Sequence, residues 1–405
     1  MVGDLIDAME RAIKELRRWP KEAVQIFHHN DSDGLSSGAI LTRAFEREGY
    51  AVRRTCLEKP YPEVLARVYD QEGKIIVFAD FAGRIAPLIS RMNRERNLTL
   101  ILDHHAAEKP TDPKVHNLDP ELYGLKGDRD IAAATTCFLF ARTLNPANGD
   151  LAYLGAVGAV GDKFFVDGRL VSQNREVTLE ASRQGRVQIG ENPGGEIYTL
   201  EWAGRKIRCD HLGVYLDMLG GAGYYQGGPN MGVRVLLEGM TGESDERVQA
   251  LNSTKEKAFE EEMRRLTKGA LKISPRIQWF DVEKRFAPMG VKMIGLFCEA
   301  IRSMDFIDPT KYIAGFQTVP DEIPGFGSIP FNQVKVSMRV PPAMEQKIRG
   351  GNAPGLNTFL PEATNRLGGF SDACHSLTAA TTVAIGKEAA LIEEMERILE
   401  GGEES

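Results

Sequence analysis

The chain has 405 residues, of which 42% are hydrophobic and 26% are charged, a composition typical of globular proteins with about two or three domains. Its 57 acidic and 50 basic residues give a net charge of −7, which argues against a protein that coats long nucleic acids through an overall basic field. The five cysteines are scattered without a CxxC pair, which argues against a zinc ribbon or a disulfide framework and indicates a reducing compartment.

The N-terminal segment 1–19 predicts a charged amphipathic helix rather than a signal peptide, because Leu5, Met9, Ala12 and Leu16 fall on one helical face. The longest apolar stretch, LAYLGAVGAVG at 151–161, is far shorter than the roughly 20 residues of a membrane-spanning helix. We therefore expect a cytoplasmic protein with no membrane partner.

The first third of the chain alternates between strand-like and helix-like segments. AVQIF (23–27), KIIVFA (74–79) and LTLIL (98–102) are apolar runs of the kind found in parallel strands that are buried on both faces. Helical spacing appears between them, at 36–49 and 83–95. This alternation predicts an α/β domain with a doubly wound parallel sheet, whose ligands bind at the carboxyl ends of the strands.

Polar, metal-binding side chains follow four apolar segments. HHNDSD (28–33) comes after the first strand, Asp80 after the second, DHH (103–105) after the third, and Asp162 after the small-residue run GAVGAVG. Four of the seven histidines lie in these places. We expect these segments to deliver carboxylates and imidazoles to one edge of one sheet.

Aspartate and histidine ligands with hardly any cysteine suit a hard or borderline divalent ion such as Mn²⁺ or Mg²⁺. Several converging carboxylates would repel one another without a cation, which would raise their pKa values. Two ions a few ångströms apart can activate water and hold both oxygens of an in-line phosphoryl displacement. The sequence therefore predicts a site for one or two divalent ions that acts through metal-activated water.

The rest of the chain predicts a second, smaller domain. Residues 184–232 are rich in glycine and turn residues, and 244–266 has the pattern of a long connecting helix. Strand-like pieces (YIAGF, VKVSMRV) and a final amphipathic helix follow. We predict a catalytic metal-binding domain at 1–235, a connecting helix at 236–275 and an α/β substrate-binding domain at 276–400.

The motifs HNDSDG, Asp80, LDHH and the Gly-Asp pair at Asp162 resemble the four ordered motifs of the DHH phosphoesterase superfamily. VKVSMR, followed by a Gly-Gly pair and a histidine loop, resembles the DHH-associated C-terminal domain. NMGVRVLLEG and the long helix are similar to the region that joins the two domains of RecJ-like exonucleases. The resemblance covers most of the chain, less clearly residues 165–222, and implies a RecJ-like two-domain member.

The resemblance implies roles for individual residues in the first domain. Asp80 would bridge two ions, a pair of Mn²⁺ or Mg²⁺. Asp103, His104 and His105 would be catalytic, through support of the site or contact with the scissile phosphate. The full set of implied metal ligands is His29, Asp31, Asp33, Asp80, His104 and Asp162.

In the second domain the resemblance implies that Arg339 and His375 hold the substrate's phosphates, with Gly368 and Gly369 letting backbone amides approach them. The chain departs from the family here, because the family usually has three glycines directly before the histidine. This chain has GGFSDACHS, with the glycines separated from His375.

Each motif also has a structural interpretation. Asp33-Gly34 could form a turn, Asp80 could cap a helix, the DHH segment could be a solvated loop, and Asp162 could end a helix. Together these alternatives require four coincidences. Outside the motifs, His28 is expected to pack behind the site, and His116 and His211 have no context that indicates a functional role.

The resemblance implies a RecJ-like exonuclease that hydrolyses single-stranded DNA or RNA to 5′-mononucleotides, with a DNA-repair or replication protein as a conceivable partner. The excess of acidic over basic residues favours short substrates or low processivity. The alternatives are a nanoRNase or other short-oligonucleotide phosphodiesterase, an enzyme for cyclic-dinucleotide products, a small-molecule phosphatase, and a non-catalytic replication scaffold. VKVSMR argues against the pyrophosphatase relatives, and the complete set of carboxylates argues against a scaffold.

Overall fold

The computed structural model describes residues 2–202, 204–371 and 374–401. These residues form two compact units. The first runs from the N-terminal region to Gln249 and includes Pro324–Phe326, and the second comprises Ala250–Ile323 and the chain from Gly327 onward. The division lies within the segment that was predicted to connect two domains.

The first unit contains a parallel sheet of five strands in the order β2-β1-β3-β4-β5. Its middle strands are completely buried, which explains their continuous runs of Ile, Val and Leu. The strand order reverses between β1 and β3, the position at which ligands bind in open α/β sheets. The strands are β1 Val24–His28, β2 Val52–Cys56, β3 Ile75–Ala79, β4 Leu98–Leu102 and β5 Val115–Asn117.

Helices cover this sheet, which confirms the predicted α/β fold class. The helix after β1 begins four residues earlier than the predicted residue 36, because Asp31 caps it at Ser32. The helices are α1 Val2–Leu16, α2 Ser32–Arg47, α3 Pro62–Val68, α4 Ala86–Asn93, α5 Ala133–Leu144, α6 Ala152–Gly161, α7 Ser172–Arg183, α8 Cys209–Asp217 and α9 Gly228–Glu238.

The run GAVGAVG forms helix α6 and not a strand, so Asp162 does not come from the sheet as expected. Its glycines let α6 pack closely against the start of α2. A Cβ atom on Gly158 would lie 2.3 Å from Asp33 Oδ1, and one on Gly161 would lie 2.0 Å from Ser32 Oγ. A short apolar run does not by itself distinguish a buried helix from a buried strand, which explains the error.

Residues 165–208 add β-structure that the sequence interpretation missed. The strands β8, β9 and β10 form an antiparallel sheet in the order β10-β9-β8, and β6 pairs with β7 in a hairpin soon after Asp162. The glycine-rich and turn-rich composition of 184–232 gave no indication of these strands. The strands are β6 Phe165–Val166, β7 Arg169–Leu170, β8 Val187–Asn192, β9 Gly195–Trp202 and β10 Arg205–Arg208.

The second unit has a mixed sheet in the order β11-β12-β13-β16-β17, and helix α10 (Gly242–Arg265) runs from the first unit into it. The predicted smaller α/β unit is present. Its strands are β11 Lys272–Ile273, β12 Ile277–Asp281, β13 Tyr312–Thr318, β14 Glu322–Ile323, β15 Gly327–Ser328, β16 Gln333–Arg339 and β17 Thr378–Ala384. Its further helices are α11 Lys292–Ile301, α12 Pro342–Arg349, α13 Leu356–Arg366 and α14 Glu388–Gly401.

Across the described ranges, no helix combines the length and the apolar character that crossing a membrane requires.

We predict that Gly158→Ala lowers the free energy of unfolding by about 1–3 kcal/mol, because the new methyl group would overlap Asp33 Oδ1 and the Ala134 side chain. Urea unfolding measures this change. Gly3→Ala is the matched control, because nothing lies within 4 Å of a Cβ atom placed on Gly3 of α1. Equal stability of the two variants would contradict the close packing of α6.

Candidate metal centre

The turn between β1 and α2 carries two carboxylates that point in different directions. Asp31 caps α2, with Oδ1 accepting a hydrogen bond from Gly34 N at 3.0 Å, and its Oδ2 lies 2.6 Å from His29 Nδ1. Asp33 is fully buried, and its two oxygens accept hydrogen bonds from the first amides of α5, Ala133 N at 2.8 Å and Ala134 N at 2.9 Å. One side chain thus caps its own helix, and the other is fixed by a neighbouring helix.

Asp80 follows β3 and lies at the centre of the cluster. Its backbone has a φ of 67°, in the left-handed region that a residue with a side chain rarely adopts. Both carboxylate oxygens are buried and accept no hydrogen bond from the described residues. Oδ2 is 3.3 Å from His29 Nδ1 and Oδ1 is 3.4 Å from His104 Nε2. A strained, buried carboxylate without donors indicates a functional position.

His104 is oriented by the backbone of the following loop. Its Nδ1 lies 2.6 Å from the carbonyl oxygen of Gly127, an arrangement typical of metal-binding histidines. This contact directs Nε2 toward three carboxylates, with Asp80 Oδ1 at 3.4 Å and Asp33 Oδ2 and Asp162 Oδ2 each at 4.0 Å. Nε2 is buried and makes no hydrogen bond within the part of the chain that the structure describes.

Asp162 is the C-cap residue of α6, so it reaches the cluster from the end of a helix and not from the end of a strand. Its side chain is 26% exposed, whereas that of Asp33 is 0% exposed. Asp162 therefore combines a place in the cluster with contact to solvent.

Three overlapping groups of side chains could hold a metal ion, each with its donor atoms within 4.8 Å of one another. Asp80 belongs to two of the groups and also lies 3.4 Å from His104, a member of the remaining one. The predicted convergence of the four motifs is therefore present. The groups are His29, Asp31 and Asp80; Asp33, His104 and Asp162; and Asp80, Asp103, His104 and His105.

The electrostatics of the cluster favour a bound cation. Burial and the neighbouring Asp80 raise the pKa of Asp33 to about 8, and burial and Asp31 raise the pKa of Asp162 well above its usual value. Burial alone would lower the pKa of His29, but the Asp31 and Asp80 carboxylates outweigh it and raise this pKa to about 10. Without an ion the cluster holds protons, and divalent cations would replace them.

Asp103 makes hydrogen bonds through both of its oxygens. Oδ1 lies 2.8 Å from His105 Nδ1 and accepts a bond from His104 N at 2.8 Å, while Oδ2 accepts from Gly83 N at 2.8 Å. Burial alone would raise the pKa of Asp103, but His105 and His104 hold it well below its usual range. Asp103 thus fixes the ring of His105 and the loop at Gly83, which suits a supporting role.

His28 lies outside the three groups. It is 1% exposed, its Nδ1 lies 2.8 Å from the carbonyl oxygen of His29, and burial followed by the charge of Arg54 lowers its pKa to about 3. This agrees with a neutral, packed ring. His116 Nε2 lies 2.8 Å from Glu15 Oε2, a contact that fits a structural role for His116.

The predicted substrate-binding residues lie in the second unit. Arg339 ends β16, and its Nε lies 3.3 Å from Glu299 Oε2. Gly368 N donates to Asn365 O and Gly369 N to Thr364 O, so both amides already close the end of α13. His375 is exposed, while Asp372 and Ala373 of the same GGFSDACHS loop lie outside the described residues. The phosphate-binding roles remain predictions.

Asp119 was missed by the sequence interpretation. It is fully buried and caps the short 3-10 turn Pro120–Tyr123 through Oδ1. Oδ2 has no hydrogen-bond partner among the described residues, and burial and the charge of Asp103 raise its pKa well above the usual value. The signal was present, because Asp119 follows β5 just as Asp80 and Asp103 follow their strands.

Comparison with known proteins bears on the fold. No protein-family model matches the chain. An uncharacterized protein of Methanocaldococcus jannaschii is 30% identical over 203 residues, which covers 48% of this chain and 45% of that protein. The chain thus spans less than half the length of the curated relative that it matches.

Several solved structures align over nearly the whole chain. Exonuclease RecJ bound to manganese matches with a TM-score of 0.59 and 16% identity, over 97% of this chain and 94% of that one. RecJ of Thermus thermophilus in complex with Mn²⁺ matches with a TM-score of 0.62 and 17% identity, over 98% of this chain and 54% of that one. The chain has the RecJ-like DHH fold.

The RecJ-like DHH fold also occurs in CDC45 from Entamoeba histolytica, with a TM-score of 0.53 and 10% identity over 98% of each chain. Identities this low establish the fold and not the activity.

We predict that Asp80→Asn lowers the affinity for Mn²⁺ by at least about 100-fold, because a neutral amide replaces the carboxylate that faces both histidines. Loss of a group that only hydrogen-bonds to a metal ligand already lowers metal affinity by about 10–100-fold. Isothermal titration of chelator-treated protein with Mn²⁺ measures the affinity and the number of ions. Asp70→Asn is the matched control, since Asp70 is exposed and belongs to none of the groups. Unchanged binding by Asp80→Asn would contradict the assignment.

Proposed function

We propose that the protein is a divalent-metal-dependent phosphodiesterase that hydrolyses single-stranded nucleic acid to 5′-mononucleotides, with two Mn²⁺ or Mg²⁺ ions as cofactor. The observation that carries this proposal is the buried Asp80 carboxylate, whose two oxygens face two different histidines and accept no hydrogen bond from the described residues. A carboxylate placed in this way is suited to be a ligand that two metal ions share.

The residues divide into two sets around Asp80. His29 and Asp31 would hold one ion, and Asp33, His104 and Asp162 the other. Bound ions would supply a nucleophile from water and charge stabilisation for the phosphoryl oxygens. The protein's part is to hold the donors in place, which the capping bond of Asp31, the α5 amides at Asp33 and the Gly127 carbonyl at His104 support.

His105 is positioned to act on the substrate itself. Its Nδ1 is engaged by Asp103 Oδ1 at 2.8 Å, so Nε2 is the end of the ring that can meet a substrate. The Asp103 carboxylate fixes the orientation of the ring. We assign His105 to contacting a phosphate oxygen through Nε2, with Asp103 as its positioning residue.

An exposed aromatic ring that follows Asp162 closely in sequence favours a nucleotide substrate. Phe165 begins β6 only three positions after Asp162 and is 38% exposed. It stacks on Tyr198 with ring centroids 6.3 Å apart and an interplanar angle of 27°, while Tyr198 OH accepts a hydrogen bond from Leu170 N. A nucleobase could stack on the free face of a ring supported in this way, and such stacking contributes about 1–3 kcal/mol to binding.

The alternatives differ from this proposal in substrate or in chemistry. A short-oligonucleotide phosphodiesterase would use the same centre, and the net charge of −7 favours short strands. A small-molecule phosphatase would not need the ring of Phe165. A scaffold without activity would not need a strained Asp80 without hydrogen-bond donors. Binding of phosphates by Arg339 and His375, a repair or replication partner, and a cytoplasmic location stay predictions.

Hydrolysis of single strands of two to about thirty nucleotides, labelled at the 5′ or 3′ end, tests the proposal in Mn²⁺. We expect stepwise release of mononucleotides that is abolished in Asp80→Asn and retained in Asp70→Asn, and the labels give the direction. Cleavage confined to the shortest strands would establish the short-oligonucleotide alternative. Absence of metal-dependent hydrolysis of every strand, with Mn²⁺ bound, would refute both.

We predict that Phe165→Ala lowers kcat/KM for a single strand by about 5-fold or more, the equivalent of about 1 kcal/mol of lost stacking. Hydrolysis of a strand whose terminal nucleotide is abasic should change little, because no base is present to stack. Phe165→Trp is the matched control and should retain activity on the normal strand. An equal loss on normal and abasic strands would show that Phe165 supports the fold instead.

A further inference from the structure

A second polar cavity lies in the first unit. It has a volume of about 530 Å³, is open to solvent and is lined by residues of α2, β2 and α9. None of its lining residues belongs to the three metal-binding groups. The polar side chains of the lining are Thr42, Arg43, Glu46, Arg54, Asn230, Arg234 and Glu238.

Arg54 is the unusual member of this lining. Its Nη1 donates to Thr42 Oγ1 and its Nη2 to Asn230 Oδ1, each at 3.2 Å, so both acceptors are neutral. Nε is buried without a hydrogen-bond partner, and no ion pair within the described ranges involves Arg54. Burial lowers the pKa of Arg54, although the group stays cationic. The charge of Glu46, which lines the same cavity, acts to raise the pKa of Arg54 against this effect of burial, but Glu46 forms no ion pair with it. A partly buried guanidinium without an ion-pair partner is costly unless an anion joins it.

The other two arginines of the lining have carboxylate partners. Arg43 Nη1 lies 3.8 Å from Glu46 Oε2, and Arg234 Nη2 lies 3.2 Å from Glu243 Oε2. Both pairs are exposed enough for a ligand to displace them at little cost. The lining follows α9 from its N-cap residue Gly227, which provides no side-chain cap, to its last residue, Glu238.

We propose that this cavity binds the phosphate group of a mononucleotide-sized ligand, with Arg54 as the main anion-binding residue. Arg54 has five N–H donors, of which its two bonds to Thr42 and Asn230 use two, and its planar fork suits two oxygens of one phosphate. The volume lies within the range of about 300–1,000 Å³ that is usual for small-molecule sites and exceeds the needs of a bare phosphate. The proposal does not depend on hydrolysis at the metal centre.

Thermal unfolding of the full chain in Mg²⁺ tests the proposal with adenosine 5′-monophosphate, inorganic phosphate and adenosine as probes at constant ionic strength. The measurements use the Asp80→Asn background as well as the natural sequence, because a nucleotide could also bind at the metal centre. We expect the monophosphate to raise the unfolding midpoint in both backgrounds, with tighter binding than inorganic phosphate and no effect of adenosine. No rise in the Asp80→Asn background would overturn the proposal.

Substitution of Arg54 locates the binding. Arg54→Gln should weaken the monophosphate at least tenfold, while Arg53→Gln should leave the affinity unchanged, because Arg53 is the exposed neighbour on the same strand. Equal effects of the two substitutions would contradict the cavity. If Arg54→Gln does not fold, Arg54→Lys keeps the charge but loses the planar fork and should bind several-fold more weakly. Binding by Arg54→Lys as tight as that of the natural sequence would also contradict the assignment.

Discussion

The structure depends on the carboxylate of Asp80, which is buried between two imidazole rings and receives no hydrogen bond from the described residues. The left-handed backbone conformation of Asp80 and the absence of hydrogen-bond donors to its oxygens within the described residues each destabilise the folded state. The parallel sheet makes this arrangement possible, because β3 is covered on both faces and ends beside β1, where the strand order reverses. The centre of the first unit is thus arranged around a carboxylate that protonated imidazoles or a bound cation would stabilise.

The residues around Asp80 are held from outside the centre. Asp31 is fixed by an amide of its own helix, Asp33 by two amides of α5, and His104 by the carbonyl of Gly127. Each contact uses hydrogen-bonding capacity away from the shared centre and restricts the side chain to one orientation. Such preorganisation lowers the cost of binding, because the donors do not have to be rearranged when an ion arrives.

Much of this centre could be predicted from the sequence, because buried parallel strands have a clear apolar signal and their ends meet at one edge. The motifs at His29, Asp80 and His104 were found in this way. Helix α6 was not predicted, since its run of Gly, Ala and Val is short and uniformly apolar. Strands β8–β10 were not predicted either, because they lie in a segment rich in turn residues. Arg54 gives no sequence signal, because its contacts with Thr42 and Asn230 arise only when α2, β2 and α9 come together in the fold.

The bonds from Asp33 to the first amides of α5 have a further consequence. Ala132, the N-cap residue of α5, has no side chain that could accept these hydrogen bonds, so a residue of the metal centre closes a helix distant in sequence. The state of the centre is therefore transmitted to the backbone at Ala133 and Ala134. Amide exchange at these two positions would report whether an ion is bound.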